Sequence, residues 1–140
     1  VSRTSVTGGV ANDAKGWYID LAAGERVTVD PIPNFGVVAF TTITPSTDPC
    51  NPGGNGAAYA RAYTTGNSKV LVGGALVANF DPPGNTQIAG VRFLRTSASA
   101  TPARNVTGTI TTSKGEIATI NVDFAKSFIG VGVNYREILN

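Results

Sequence analysis

The sequence predicts an all-β fold, on three observations. No stretch sustains helical periodicity for about ten residues, short β-branched and apolar runs alternate at a period of two, and clusters of Gly, Pro, Asn and Asp recur at roughly 8–12-residue intervals. Charged residues make up only 14% of the 140-residue chain, against roughly 25% in an average globular protein. Hydrophobic residues are 41% and gathered in runs, so the chain has material for a core and is not of disordered composition. One modest domain of roughly eight to ten short strands fits this length.

Residues 1–15 (VSRTSVTGGVANDAK) are polar and weakly patterned, an N-terminal arm with one strand at 3–7. Residues 16–140 form the single all-β domain. Residues 17–21 alternate, the chain turns at Ala23-Gly24, and residues 26–29 resume the alternation, which predicts a hairpin. Residues 37–43 (VVAFTTI) are β-branched and aromatic, a buried central strand. Residues 44–56 (TPSTDPCNPGGNG) read as a long loop, and residues 58–63 (AYARAY) as a strand ending in the turn Thr64-Thr65-Gly66-Asn67. Residues 70–77 are apolar but interrupted by Gly73-Gly74, which predicts a bulged strand. Asp81-Pro82-Pro83-Gly84-Asn85 is a turn, residues 87–95 a strand, and residues 96–104 a Ser/Ala/Thr/Pro linker. Residues 106–112 and 116–124 flank Ser113-Lys114-Gly115, a hairpin loop with its Gly placed for positive φ. Residues 128–137 are the last strand, and residues 123–126 are the one place where a short helix competes.

The absences narrow the function. The net charge of +2 is scattered, with no basic block, which argues against nucleic acid and anionic membranes as partners. No apolar run is long enough for membrane insertion as a helix. His is absent, which removes the usual general base and the commonest metal ligand. Met is absent too and the chain starts at Val1, so a processed mature chain, or a fragment or domain of something longer, is expected. Cys50 stands alone. It is either an unpaired, half-buried thiol or bonded to another chain or to a missing part of a parent protein.

Residues 16–67 carry a resemblance. GWYIDL is followed by GERV, a Pro-containing link, VVAFTT, PSTDPCNPGG and AYARAYTTG. This order resembles the C-terminal β-propeller region of the PilY-type type IV pilus biogenesis factors, large secreted bacterial proteins of the pilus tip. The chain end GVGVNYREILN resembles that family's tail. The likeness is specific at 16–54, moderate at 58–67, suggestive at 130–139 and absent between, about half the chain. It implies propeller-blade-like antiparallel sheets, with 16–67 as a blade and 68–140 as a second sheet segment and C-terminal strand. It implies a secreted, cell-surface or pilus-associated protein whose partners are other pilus or surface proteins. The family-motif residues would be Trp17, Tyr18, Asp20, Glu25, Arg26, Thr47, Asp48, Pro49, Gly53, Gly54, Arg136 and Glu137. The family's calcium loop, alternating Asp residues, has no counterpart here, and calcium needs several clustered oxygen ligands. No metal or cofactor is therefore expected. About two blades' worth of strands is fewer than the roughly three repeats such folds need. A compact sandwich, a barrel, or an assembly completed by neighbouring copies all remain open. The last would make the chain a self-assembling extracellular fibre subunit built by strand addition.

The remaining candidates read as scaffold more readily than as chemistry. Trp17 and Tyr18 could form an aromatic platform for a sugar or peptide, but such residues more often pack a blade face with the indole N–H bonded to a loop. Cys50 beside Asp48 lacks the positive surroundings that activate a thiolate, and Asp48 suits an Asx-turn. Asp20, Glu25 and Asp30 offer carboxylates for glycoside hydrolysis, which needs a pair about 5–9 Å apart with one raised pKa. Arg26 is the expected neutraliser of one of them. Asn105-Val106-Thr107 fits a glycosylation sequon. The expectation is a non-enzymatic interaction module.

Overall fold

The computed structural model describes residues 4–5, 16–34, 36–50, 53–84, 86–95 and 105–123. Among these there is no helix. Eleven strands run in order: β1 (Thr4–Ser5), β2 (Trp17–Tyr18), β3 (Arg26–Val27), β4 (Ile32–Asn34), β5 (Val37–Pro45), β6 (Gly54–Ala62), β7 (Val70–Val72), β8 (Ala75–Val77), β9 (Ile88–Arg95), β10 (Asn105–Thr112) and β11 (Ile117–Asp123). The fold is all-β. A first sheet places β5 at its centre, with β6 along one side and β3 and β4 in tandem along the other. A second sheet has the order β8-β7-β11-β10-β9. Both are antiparallel; only the two-residue β1–β2 ladder is parallel. The described strands do not close into a barrel.

The two main sheets share one core, as in a sandwich. Val37 and Ala39 of β5 and Ala58 and Ala60 of β6 pack with Val70, Ile88, Ile110, Ile120 and Val122 of the second sheet. These positions follow the period of two that a half-buried strand requires. The first sheet offers mostly alanines and the second mostly Ile and Val, so small side chains face large ones and the layers approach closely. Ile110 is fully buried, and burying one such side chain contributes about 1.5–3 kcal/mol.

The chain passes between sheets at Lys69. After β6 it turns through residues 63–66 and returns alongside: Ala62 N–H donates to Asn67 O (2.9 Å) and Lys69 N–H to Ala60 O (2.8 Å). Lys69 O then accepts from Asp123 N–H at 2.8 Å, which delivers the chain into β7 beside β11. Its ammonium holds the Asp123 carboxylate at 3.2 Å. Further along, Phe80 exchanges both backbone hydrogen bonds with Ala58, and Thr86 O accepts from Gly56 N–H at 2.9 Å. Three successive segments thus cover the far edge of β6.

Several local expectations change. Strands β2 and β3 do not pair with each other: β2 pairs with β1 and β3 with β5. The turn between them exists, closed by Glu25 N–H to Ala22 O at 3.0 Å, but its two arms are drawn to different neighbours. The expected long loop at 44–56 is shorter, because β5 and β6 stay paired out to Pro45 and Gly54. The expected bulged strand at 70–77 is a hairpin. Gly73 and Gly74 take φ of +59° and +85°, the left-handed pair a two-residue primed turn demands, and β7 folds back on β8. Asp123 ends a strand; the rest of the competing short helix, the linker at 96–104 and the last strand at 128–137 lie outside the described residues.

Candidate functional site

The turn after β2 is where sequence and structure meet. Glu25 reaches from it onto the outer face of the first sheet. Its Oε1 accepts the hydroxyl of Thr42 from β5 and, at 2.9 Å, the phenol of Tyr59 from β6. Its Oε2 accepts Ala22 N–H at 2.9 Å. Thr42 and Tyr59 project on one face because Thr42 pairs with Ala57 and Phe40 with Tyr59 across the β5–β6 ladder. Burial pushes the Glu25 carboxyl up, but the hydrogen bonds from Thr42, Ala22 and Tyr59 prevail and hold it below the ordinary 4.5. The Tyr59 phenol is pushed well above its usual value, first by burial and then by Glu25, with Asp81 adding to the effect. Glu25 is therefore an ionised acceptor and Tyr59 a neutral donor at neutral pH.

The aromatic layer beneath is continuous. Phe40 and Tyr59 stack at 4.9 Å between centroids, 6° from parallel. The Arg61 guanidinium lies 5.8 Å from the Tyr59 ring, as a residue two positions along the same strand face permits. Arg61 is 9% exposed. It donates to Gly66 O (3.4 Å) and Ala78 O (3.3 Å), so it binds the 63–66 turn to the segment after β8. Ser68 reinforces that junction through its hydroxyl to Val77 O.

Over this layer opens a polar groove of about 430 Å³, lined by Glu25, Thr44, Asn55, Tyr59, Asn79 and Asp81 among others. Asn79 Nδ2 donates to Asp81 Oδ1 at 2.6 Å. A second groove of about 680 Å³ runs between the 45–54 loop and the β10–β11 turn, where Lys114 donates to Gly84 O at 3.0 Å.

The residues singled out from the sequence scatter. Trp17 is half-buried and donates its indole N–H to Tyr63 O at 2.8 Å, which ties β2 to the end of β6. Tyr18 is exposed, as are Asp20, Arg26 and Asp30. Glu25 is held by hydroxyls and a backbone amide, not by Arg26, because the turn aims it across the sheet. Asp48 Oδ1 accepts Cys50 N–H at 2.9 Å, an Asx-turn. Cys50 is free and exposed, not half-buried. Thr47, Gly53 and Gly54 line the larger groove, while Pro49 is exposed. Gly54 has φ +149°, and a Cβ there would stand 2.2 Å from Thr44 O, so only Gly fits. Arg136 and Glu137 lie outside the described residues.

Thr42, Tyr59, Asn55, Asn79 and Asp81 were not singled out by sequence. Tyr59 and Arg61 stand two apart in AYARAY, a same-face signal; nothing local marks Asn79 or Asp81 as neighbours of Glu25. Among the described residues no group of three or more His, Cys, Asp or Glu is placed to hold a metal ion, and no helix is long and apolar enough to cross a membrane. No protein-family model matches the sequence, and no curated protein or solved structure matches it.

Proposed function

We propose that the chain is a non-enzymatic interaction module of a bacterial surface, akin to the C-terminal part of a type IV pilus assembly and tip factor, that docks a partner by strand addition to β9. The observation that carries this is a contrast between sheet edges. Of the other outer strands, nine-residue β6 has its far edge covered by Asn67, Lys69, Phe80 and Thr86, and the rest are short: β8 and β4 have three residues each and β3 two, and β4 carries Pro33. Short strands and edge prolines are how proteins blunt edges. Strand β9 runs eight residues, and among the described residues only β10 pairs with it. A long edge left open is a template for an incoming strand. The resemblance of residues 16–67 to the pilus factors supports the surface setting. The Glu25 site supports a non-catalytic reading, because the fold already directs Thr42, Tyr59 and Ala22 N–H onto its carboxylate.

The same edge bears on the fibre reading. Two copies joined edge to edge through β9 form a closed, isologous pair. Growth into a filament needs a second long edge; β6 is covered by later segments, and the remaining described edges offer two or three residues. A dimer or a different partner is favoured over a fibre.

Co-sedimentation of the full chain with purified type IV pili, beside sedimentation velocity of the chain alone at about 100 µM, covers a micromolar interaction. Binding to pili or dimer formation is expected, weakened about tenfold by Ala89→Lys, a charge on the exposed part of β9. A chain that stays monomeric and leaves the pili unbound overturns the proposal.

A further inference from the structure

We infer that the groove over Tyr59 is a saccharide-binding site, taking a neutral ligand with neighbouring hydroxyl groups. The case rests on its hydrogen-bonding capacity. Glu25 Oε1 already accepts two hydroxyls and Oε2 one amide, so this carboxylate is largely satisfied by the protein and shapes the floor. Asn79 has spent one amide proton on Asp81 Oδ1. Its Oδ1, its second proton and Asp81 Oδ2 remain for a ligand. The Asn55 amide, exposed at the groove's rim, and the Thr44 hydroxyl add both donors and acceptors.

The lining therefore presents donors and acceptors side by side. A cation satisfies only the acceptors, and an anion meets Asp81 and Glu25 with no opposing Lys or Arg in the lining. The nearest guanidinium, Arg61, is buried and committed to Gly66 O and Ala78 O. A hydroxyl both donates and accepts, so a pair of adjacent hydroxyls matches an amide or carboxylate edge at two points. The groove's volume, about 430 Å³, lies in the range of small-molecule sites, and Pro82 and Ala57 supply apolar wall. The platform that the sequence suggested for a sugar, Trp17 and Tyr18, is elsewhere: the Trp17 indole N–H is bonded to Tyr63 O. This inference is independent of strand addition at β9.

The test is NMR on the ¹⁵N-labelled full chain, titrated separately with methyl glucoside, methyl galactoside, methyl mannoside and N-acetylglucosamine. The side-chain amide signals of Asn55 and Asn79 report directly. The expected result is saturable shifts of those signals with at least one sugar, at about millimolar affinity. Asn55→Ala and Asp81→Ala should each weaken it about tenfold, and Tyr18→Ala should leave it unchanged. Backbone spectra of the variants confirm that the fold is kept. Absence of saturable shifts with all four sugars overturns the inference. So does a response that persists in both groove variants, or the same shifts produced only by N-acetyl-lysine methylamide.

Discussion

Tyr59 donates its phenol to Glu25 at 2.9 Å, joining β6 to a turn thirty-four residues earlier. Thr42 of β5 donates to the same oxygen, so one carboxylate draws the Ala22–Glu25 turn down onto two strands. Thr42 is fully buried, and losing this acceptor leaves its hydroxyl only the distant Ala57 carbonyl at 3.5 Å. Glu25→Ala should therefore destabilise the fold by about 2 kcal/mol and Tyr59→Phe, which removes one of three donors, by about 1 kcal/mol. Urea denaturation measures both. Equal midpoints for Glu25→Ala and the parent would show that the turn is not clamped.

The same site sets an acid dependence. The folded Glu25 pKa is held below 4.5, its ordinary value. The unfolded chain takes up the proton first as pH falls, so this contribution is fully present above 4.5 and is lost as pH drops through the folded value. Thermal melts from neutral pH down to acid should show a steeper loss of Tm in the parent than in Glu25→Gln. Parallel curves would remove Glu25 from the account.

Arg61 tests the junction on the other side of Tyr59. A guanidinium spans Gly66 O and Ala78 O; an ammonium is a compact point charge and cannot bridge both in one plane. Arg61→Lys should lower stability by about 1–2 kcal/mol, with faster hydrogen exchange in the 63–66 turn. Unchanged exchange there would show that the turn stands without the arginine.

The β7–β8 turn depends on its backbone. Gly74 sits at φ +85°, where a side chain costs about 1–2 kcal/mol. Gly74→Ala should lose about that much. Gly73→Asn should be nearly neutral, since Asn tolerates the left-handed region and fits primed turns. Equal Tm for Gly74→Ala and the parent would contradict the hairpin.

Cys50, exposed and unbonded, should react with a thiol reagent in the native protein to one equivalent, as fast as after unfolding. Protection in the native state would place it under another part of the chain.

The all-β fold was legible because strand period and turn chemistry are local properties. The β-branched and aromatic run VVAFTTI marks β5, Ser113-Lys114-Gly115 marks the β10–β11 hairpin, and Asp48 marks its Asx-turn. The paired glycines at 73 and 74 fit a bulge as well as a turn, because sequence shows where glycine's backbone freedom is used, not whether the chain then folds back. Tertiary structure alone decided the rest. The period of two says which residues share a face, but not which strand lies alongside. So β3 goes to β5 and not to β2, Lys69 becomes the crossing between sheets, and Glu25 meets Thr42 and Tyr59 from seventeen and thirty-four residues away. Pairing between distant strands is settled by which faces bury one another best, and that energy is a property of the packed whole.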